Sequence, residues 1–230
     1  MNDQVTAYTA LVYLPEGFNA LEAVGFTEAI GLVPGFTVLT VADKAGPVVS
    51  DSGTVVLTAQ AGIDDIDNAD ILYIPGGRIV PSLKDERLLT WIRKVDAGTR
   101  FTTALCVGRA LLGAAGLLHG VRVAAQPVPL PEQGAVEVPD RLVAHGKYVT
   151  GANAVSSLDV ALHVAAQFTD APTARAIQTA LEYDVDVWGP PFPARPLPHP
   201  APEELAVLMS LMSGGMRERI LRELQSLSVS

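Results

Sequence analysis

Two short runs, Ile71-Leu72-Tyr73-Ile74 and Phe101-Thr102-Thr103-Ala104-Leu105, restrict the architecture more than anything else in the chain. The first is apolar without alternation and the second also reads as a buried strand. Strands of that kind are covered on both faces. Each stops abruptly at a turn, Pro75-Gly76-Gly77 in one case and Cys106-Val107-Gly108 in the other. Apolar residues at helical spacing fill the intervals, and they predict helices over Ala20 to Leu32, Leu83 to Asp96, Ala110 to Leu118, Ser157 to Phe168 and Thr173 to Tyr183. Thr6 to Leu14 and Phe36 to Ala42 read as strands, Pro47 to Thr58 as a short hairpin around Asp51-Ser52-Gly53. Val121 to Ala125, Val136 to Val138, Leu142 to Ala144 and Tyr148 to Thr150 read as further short strands. Strand and helix in alternation predict an α/β fold: a mostly parallel sheet with helices on both faces, a flavodoxin-like sandwich.

In such sheets ligands bind outside the carboxyl ends of the strands. Three segments fall at those ends: Pro15 to Glu22, Pro75 to Arg78 and Cys106 to Arg109. Cys106 is the only cysteine in the chain. Its place between a strand and a helix is that of a nucleophile elbow, where the side chain stands on a tight bend beside the positive end of the next helix. That setting favours thiolate, so the thiol pKa is expected to lie below its ordinary value. The alternative is a small buried hydrophobe.

Bulk properties narrow the classes. With 230 residues, 49% hydrophobic and 18% charged, the chain is globular and long enough for one large α/β domain or two small ones. A net charge of −9 argues against nucleic acid or an anionic membrane as partner. One cysteine leaves no intramolecular disulfide and no multi-cysteine metal site, and the four histidines share no metal-ligand spacing, so neither a metal nor a cofactor is expected. The acidic start Met1-Asn2-Asp3 lacks the basic region of a signal peptide, and no apolar run reaches the length of a membrane span. A cytoplasmic protein is the expectation. Residues 1–185 are assigned to the α/β domain. Residues 186–230 hold a Pro-rich strap and an amphipathic tail, packed on the same domain or on a partner subunit.

The motifs, taken together, resemble the ThiJ/PfpI superfamily, the class I glutamine amidotransferase-like fold, and within it most nearly the isocyanide hydratase branch. The matching pieces are Leu21-Glu22-Ala23-Val24-Gly25, Gly46-Pro47-Val48-Val49, Ser52-Gly53, Ile74-Pro75-Gly76-Gly77, Cys106-Val107-Gly108 and Gly113-Ala114-Ala115-Gly116-Leu117-Leu118. They continue with Thr150-Gly151-Ala152, Leu158-Asp159-Val160-Ala161-Leu162, Leu181-Glu182-Tyr183 and Pro190-Pro191-Phe192. The resemblance implies that Glu22 hydrogen-bonds Cys106, with Glu16 as the competitor for that place. It also implies backbone N–H groups of Gly76, Gly77 and Val107 as donors to a developing negative charge. Arg78, Arg109, Gln126 and Asn153 are the candidate substrate-binding residues, each with a plain structural alternative. His163 reads as a core or interface histidine, and Asp159 as a brace for its helix.

The chain departs from the family's patterns where the pocket would be. Val107 stands where the protease-like branch has histidine and the hydratases have threonine. Gln126-Pro127 replaces a histidine and an aromatic, and Arg109 replaces a small residue. No base adjoins the cysteine in sequence, so peptidase logic is missing. The resemblance therefore implies an enzyme with a Cys106–Glu22 pair acting on a small electrophile, either an isocyanide hydrated to an N-substituted formamide or an aldehyde, carbonyl or activated alkene. A redox sensor using Cys106 is the second reading. A transcription regulator is the third, and the acidic chain has too few residues after 203 for a DNA-binding module. A homodimer with its pocket near the subunit boundary is expected.

Overall fold

The computed structural model describes residues 7–125 and 134–183. Gln126 and residues 186–230, with the strap and the tail, lie outside the described residues. The elements run β1 (Tyr8–Tyr13), α1 (Ala20–Gly31), β2 (Phe36–Ala42), β3 (Gly46–Val49), β4 (Val56–Ala59), β5 (Ala61–Gly62), β6 (Ile71–Ile74), α2 (Glu86–Gly98) and β7 (Phe101–Leu105). There follow α3 (Arg109–Ala114), β8 (Arg122–Ala124), β9 (Val136–Val138), β10 (Leu142–His145), β11 (Tyr148–Gly151), α4 (Ser156–Phe168) and α5 (Ala171–Ala180).

Seven strands form the central sheet in the order β10-β11-β7-β6-β1-β2-β5. Every pairing in it is parallel except β10 with β11 at one edge. Pleating sends alternate side chains to opposite faces. In β1, Ala10 and Val12 enter one core while Leu11 and Tyr13 enter the other; in β6, Ile71 and Tyr73 divide in the same way from Leu72 and Ile74. The first core is closed by α1, α4 and α5, the second by α2 and α3. A strand buried on both faces needs apolar residues throughout, which is why 71–74 carries no alternation.

The helices start where side chains can satisfy free backbone donors. The Asp85 carboxylate accepts from the Arg87 and Leu88 N–H groups at 3.0 and 3.1 Å, and Asp170 accepts from Thr173 N–H at 2.8 Å. In α2 the buried residues Leu88, Leu89, Trp91, Ile92 and Val95 recur at helical spacing. Truncating one of them to alanine would cost about 2–5 kcal/mol. Between α1 and α4 the backbones come close at Gly25, where a Cβ would fall 2.4 Å from Ser157 Oγ.

Four details differ from the sequence reading. Helix α3 ends at Ala114, not Leu118, because Gly116 turns left-handed at φ +80° and its N–H returns to Gly113 O at 2.8 Å. Helix α5 starts at Ala171, earlier than expected, because Asp170 caps it, and it stops at Ala180. The two-residue strand β5 at the sheet edge is too short to leave a pattern. Strands β8 and β9 form a separate parallel pair instead of joining the main sheet. No helix among the described residues is long and apolar enough to cross a membrane.

Candidate active site

Strand register sets the position of the cysteine. Leu105, the last residue of β7, pairs with Gly151 of β11, and Ala104 pairs with Ile74 of β6. Cys106 therefore emerges at the carboxyl edge between two strands, with the Pro75-Gly76-Gly77 turn on one side and the loop before α4 on the other. Cys106 to Gly108 make a single 3₁₀ turn that leads into α3. Cys106 takes φ +48°, one of two non-glycine residues with positive φ among the described residues. Such a conformation costs on the order of 1–3 kcal/mol and persists only where its surroundings enforce it. They do so here through Gly108, where a Cβ would lie 2.4 Å from Pro75 O and 2.7 Å from Ile74 O.

Glu22 comes to the elbow from the first turn of α1. Asn19 caps that helix, its Oδ1 accepting from Glu22 N–H at 3.1 Å. Asn19 and Glu22 have the spacing of a capping box, in which the acid ordinarily reaches back to the cap's own N–H. In this site Gly76 takes both roles. Its N–H donates to Glu22 Oε2 at 2.5 Å, and its carbonyl accepts from Asn19 N–H at 2.8 Å. Glu22 is 1% exposed and hydrogen-bonds the Cys106 thiol, while Tyr73 Oη donates to the Glu22 carbonyl at 2.9 Å. Glu16, in contrast, is exposed. A Cβ on Gly76 would sit 3.0 Å from Glu22 Oε2, 3.1 Å from Cys106 Cβ and 3.2 Å from Val107 Cγ2. Gly76 is thus the floor on which acid, thiol and Val107 meet.

The electrostatics follow from this crowding. Burial raises the Glu22 carboxyl to about 7; the nearby Asp51 carboxylate adds to that, and the Gly76 N–H and the thiol oppose it. Burial and then the Glu22 charge push the Cys106 thiol up as well, against the Val107 N–H and the Arg109 cation. Cys106 keeps partial exposure, which tempers the burial penalty without changing its direction. The thiol is therefore shifted opposite to the sequence expectation, because burial first and the neighbouring carboxylate second outweigh the helix end. Two acids in contact cannot both ionise cheaply, so the pair holds one proton near neutral pH. Glu22 releases first, and above about pH 7 it is a carboxylate facing a protonated thiol.

The other predicted residues are spread around this pair. The Val107 N–H donates to the cysteine sulfur. The Gly76 N–H is engaged by Glu22 instead of facing a substrate oxygen. Gly77 has φ +125° and abuts Gly17 and Phe18, where a Cβ would be 2.2 Å from Gly17 O. Arg78 is exposed, its N–H donating to Gly17 O at 2.8 Å. Asn153 is half-buried in the turn before α4, its carbonyl accepting from Ser156 N–H at 2.9 Å. Arg109 is 1% exposed and pairs with Glu137 of β9. Asp159 is buried beside Arg141 at 2.6 Å and accepts from Tyr183 Oη at 2.9 Å. Half-buried His163 lies in α4. No group of three metal-ligating side chains occurs among the described residues.

Sequence reasoning missed Asp51. It was read as part of a hairpin turn, yet its N–H donates to Phe18 O at 2.9 Å, and its Oδ2 accepts from Asn19 Nδ2 at 3.5 Å. Nothing local to Asp51-Ser52-Gly53 signals that contact, which the fold creates across 32 residues. Asn19, however, carried a legible signal, the Asn-x-x-Glu spacing.

The model of the DJ-1/PfpI family matches residues 8–167. The chain is 35% identical over 176 residues to an isonitrile hydratase from Pseudomonas putida, a match that covers 75% of each protein. Among solved structures, a ThiJ/PfpI family protein from Pseudomonas syringae superposes with a TM-score of 0.78 at 24% identity, covering 94% of this chain and 91% of that one. Drosophila melanogaster DJ-1beta superposes with a TM-score of 0.68 at 18% identity, covering 77% and 98%.

Proposed function

Since the chain belongs to the DJ-1/PfpI family, we propose that it is a hydratase in which Cys106 is the nucleophile and Glu22 the proton carrier, acting on an isocyanide or a similarly small electrophilic carbon. The observation that carries this reading is the Glu22 carboxylate held between the Gly76 N–H and the Cys106 thiol, on an elbow whose cysteine adopts positive φ. The 35% identity to an isonitrile hydratase supports the substrate class.

The chemistry balances with these two side chains and water. Sulfur attacks the terminal isocyanide carbon and forms the C–S bond. The thiol proton passes to the Glu22 carboxylate and from there to the same carbon, giving a thioimidate, S–CH=N–R. Glu22, a carboxylate again, takes a proton from water as the water oxygen adds to that carbon, and passes it to the nitrogen, giving S–CH(OH)–NH–R. The C–S bond then breaks as the hydroxyl proton passes by way of Glu22 to the departing sulfur, which releases an N-substituted formamide and restores the thiol. Above about pH 7 the raised Glu22 is a base already in contact with the proton it must remove. The Val107 N–H supports negative charge on sulfur during attack and departure. Exposed Arg78 and half-buried Asn153 follow strands that end at the site, and in this reading they meet the substituent R.

We also propose a homodimer. Leu21 and Val24 on α1 and Val155 before α4 are 57%, 38% and 39% exposed close to the site, an apolar surface that a second copy would cover.

The test is intact-mass analysis of the chain mixed with a small alkyl isocyanide, coupled to product detection. A transient adduct and formamide release are expected from the natural chain, and neither from Cys106→Ala. Full turnover by Cys106→Ala would overturn the covalent route.

A further inference from the structure

We infer that Tyr73 is a positioning residue for Glu22: its buried hydroxyl holds the first turn of α1 against β6, so that the carboxyl stays between the Gly76 N–H and the Cys106 thiol. The inference rests on the reading of Glu22 as proton carrier and adds a residue that acts through it.

Tyr73 stands out in its own strand. Strand β6 lies in the middle of the sheet and is buried throughout, and Tyr73 brings its one polar side-chain atom. A phenylalanine would fill such a place, since a fully buried phenolic hydroxyl needs a partner. Tyr73 is 0% exposed, and that partner is the backbone carbonyl of Glu22, at 2.9 Å. The same carbonyl, in the first turn of α1, already faces the N–H four residues on, as helix geometry dictates. The hydroxyl bond is therefore one that α1 does not need for its own closure. The ring is held too. Phe26, one turn beyond Glu22, stacks on it with centroids 3.9 Å apart and planes 3° from parallel. Tyr73 thus meets both ends of the helical turn that carries the acid.

That grip secures the spacing between two separate stretches of chain. Glu22 is tied to β6 by its carbonyl at Tyr73, and to the turn after β6 by its carboxyl at Gly76. Strand β6 is in turn registered on β7, with Tyr73 opposite Thr103 and the Thr103 hydroxyl donating to Leu72 O at 3.1 Å. Cys106 follows at the end of β7, so acid and thiol are both placed by reference to β6. Asn19 fastens the residue ahead of the helix to the Gly76 carbonyl, and the Tyr73 hydroxyl fastens the helix proper. The remaining buried residues of α1, Ala23, Phe26, Ala29 and Ile30, are apolar and give no directional bond from their side chains. Without the hydroxyl the first turn shifts along the sheet with little loss of packing, and a misplacement of about 1 Å costs about 10²-fold in rate.

The experiment is steady-state hydration of n-butyl isocyanide by the full-length natural chain, Tyr73→Phe, Ile30→Val, Glu22→Gln and the Tyr73→Phe, Glu22→Gln pair, with urea unfolding of each. Phenylalanine keeps the ring and its stack, and the Glu22 carbonyl keeps its helix partner, so no buried group is left unpaired and stability should fall little. Tyr73→Phe should nonetheless lose about tenfold in kcat with KM within about twofold, the split expected of a group that serves the chemical step. Buried Ile30 lies on the same helix face two turns on, and Ile30→Val should lose at least as much stability while keeping the natural kcat. In the Glu22→Gln background no carboxyl is left to position, so Tyr73→Phe should slow the residual turnover by less than about twofold. Natural kcat in a folded Tyr73→Phe, or the same loss in both backgrounds, would overturn the inference and leave the role of Glu22 intact. A Tyr73→Phe chain that does not fold would overturn it as well, by showing that the hydroxyl serves stability. No hydration by the natural chain, or natural kcat in Glu22→Gln, would instead overturn the reading of Glu22, and this inference with it.

Discussion

Replacing Glu22 by glutamine should make the protein more stable at alkaline pH while removing its chemistry. The carboxyl is raised from 4.5 to about 7 in the folded protein, mainly by burial. Its folded pKa lies above its unfolded one, so between those values the native state binds more protons than the unfolded state. Stability then falls as pH rises. The contribution is fully present below about 4.5 and is lost as pH climbs through about 7, beyond which an ionised carboxylate is buried in the native state. At 1.36 kcal/mol per unit, the span of about 2.5 units amounts to about 3 kcal/mol. Glutamine has the same shape, and its Oε1 can still accept from the Gly76 N–H, but it cannot ionise. Urea unfolding of the natural chain and Glu22→Gln at intervals from pH 4.5 to 8.5 tests this. The two curves should meet near the acid end, and the variant should lead by about 3 kcal/mol at the alkaline end. The same pair in a Cys106→Ala background removes coupling to the thiol, and the divergence should persist there. Parallel curves, or a variant less stable at pH 8.5, would refute the account of Glu22 as a carboxyl raised by burial.

Turnover should rise with pH through a midpoint near 7, because Glu22 must be ionised to accept the thiol proton; a flat profile from pH 5.5 to 8.5 would count against it as the base. Glu22→Gln should lose about 10²–10⁴-fold in kcat with little change in KM, as general acid–base groups do, whereas the same change at exposed Glu16 should leave both constants unaltered. Gly76→Ala should fold but react slowly, since its methyl group would press on Glu22, Cys106 and Val107 at 3.0–3.2 Å; Gly77→Ala, at φ +125° and 2.2 Å from Gly17 O, should lose at least about 2 kcal/mol in urea unfolding. Light scattering at micromolar concentration should report a dimer, and a Leu21→Glu, Val24→Glu pair should dissociate it.

Much of the sheet was legible because each strand states its environment locally. The unbroken apolar run of β6 requires cover on both faces, and the two cores that divide its side chains supply it. Periodicity located the five helices but not all their ends. Those of α3 and α5 depend on single residues, Gly116 and Asp170, whose effect is a local hydrogen bond and not a pattern. Strands β8 and β9 show the limit from the other side. Their composition marks them as strands, but which sheet a short strand joins depends on partners remote in sequence, and these two pair with each other.

The site divides along the same line. A nucleophile elbow is a local device, a strand end followed by a tight turn and a helix start, so Cys106 was visible from its neighbours. What surrounds the Cys106–Glu22 pair is assembled from separate stretches: Asn19 ahead of Glu22, Asp51, Gly76 and Val107. Local logic fails wherever one of these gives up its usual partner. The Asn19–Glu22 capping box would ordinarily close on itself; here its acid and its cap N–H both turn to Gly76, 54 residues beyond Glu22. That exchange ties the helix start to the turn after β6 and leaves the acid buried, raised and in contact with the thiol. The reversal of the expected thiol shift has the same origin. A helix N-terminus lowers a thiol pKa by a partial charge, whereas a carboxylate in hydrogen-bond contact raises it by a full one. Burial is the largest cause of the upward shift and the Glu22 charge adds to it, so together they outweigh the helix end, and removal of the thiol proton by Glu22 decides when Cys106 becomes a nucleophile.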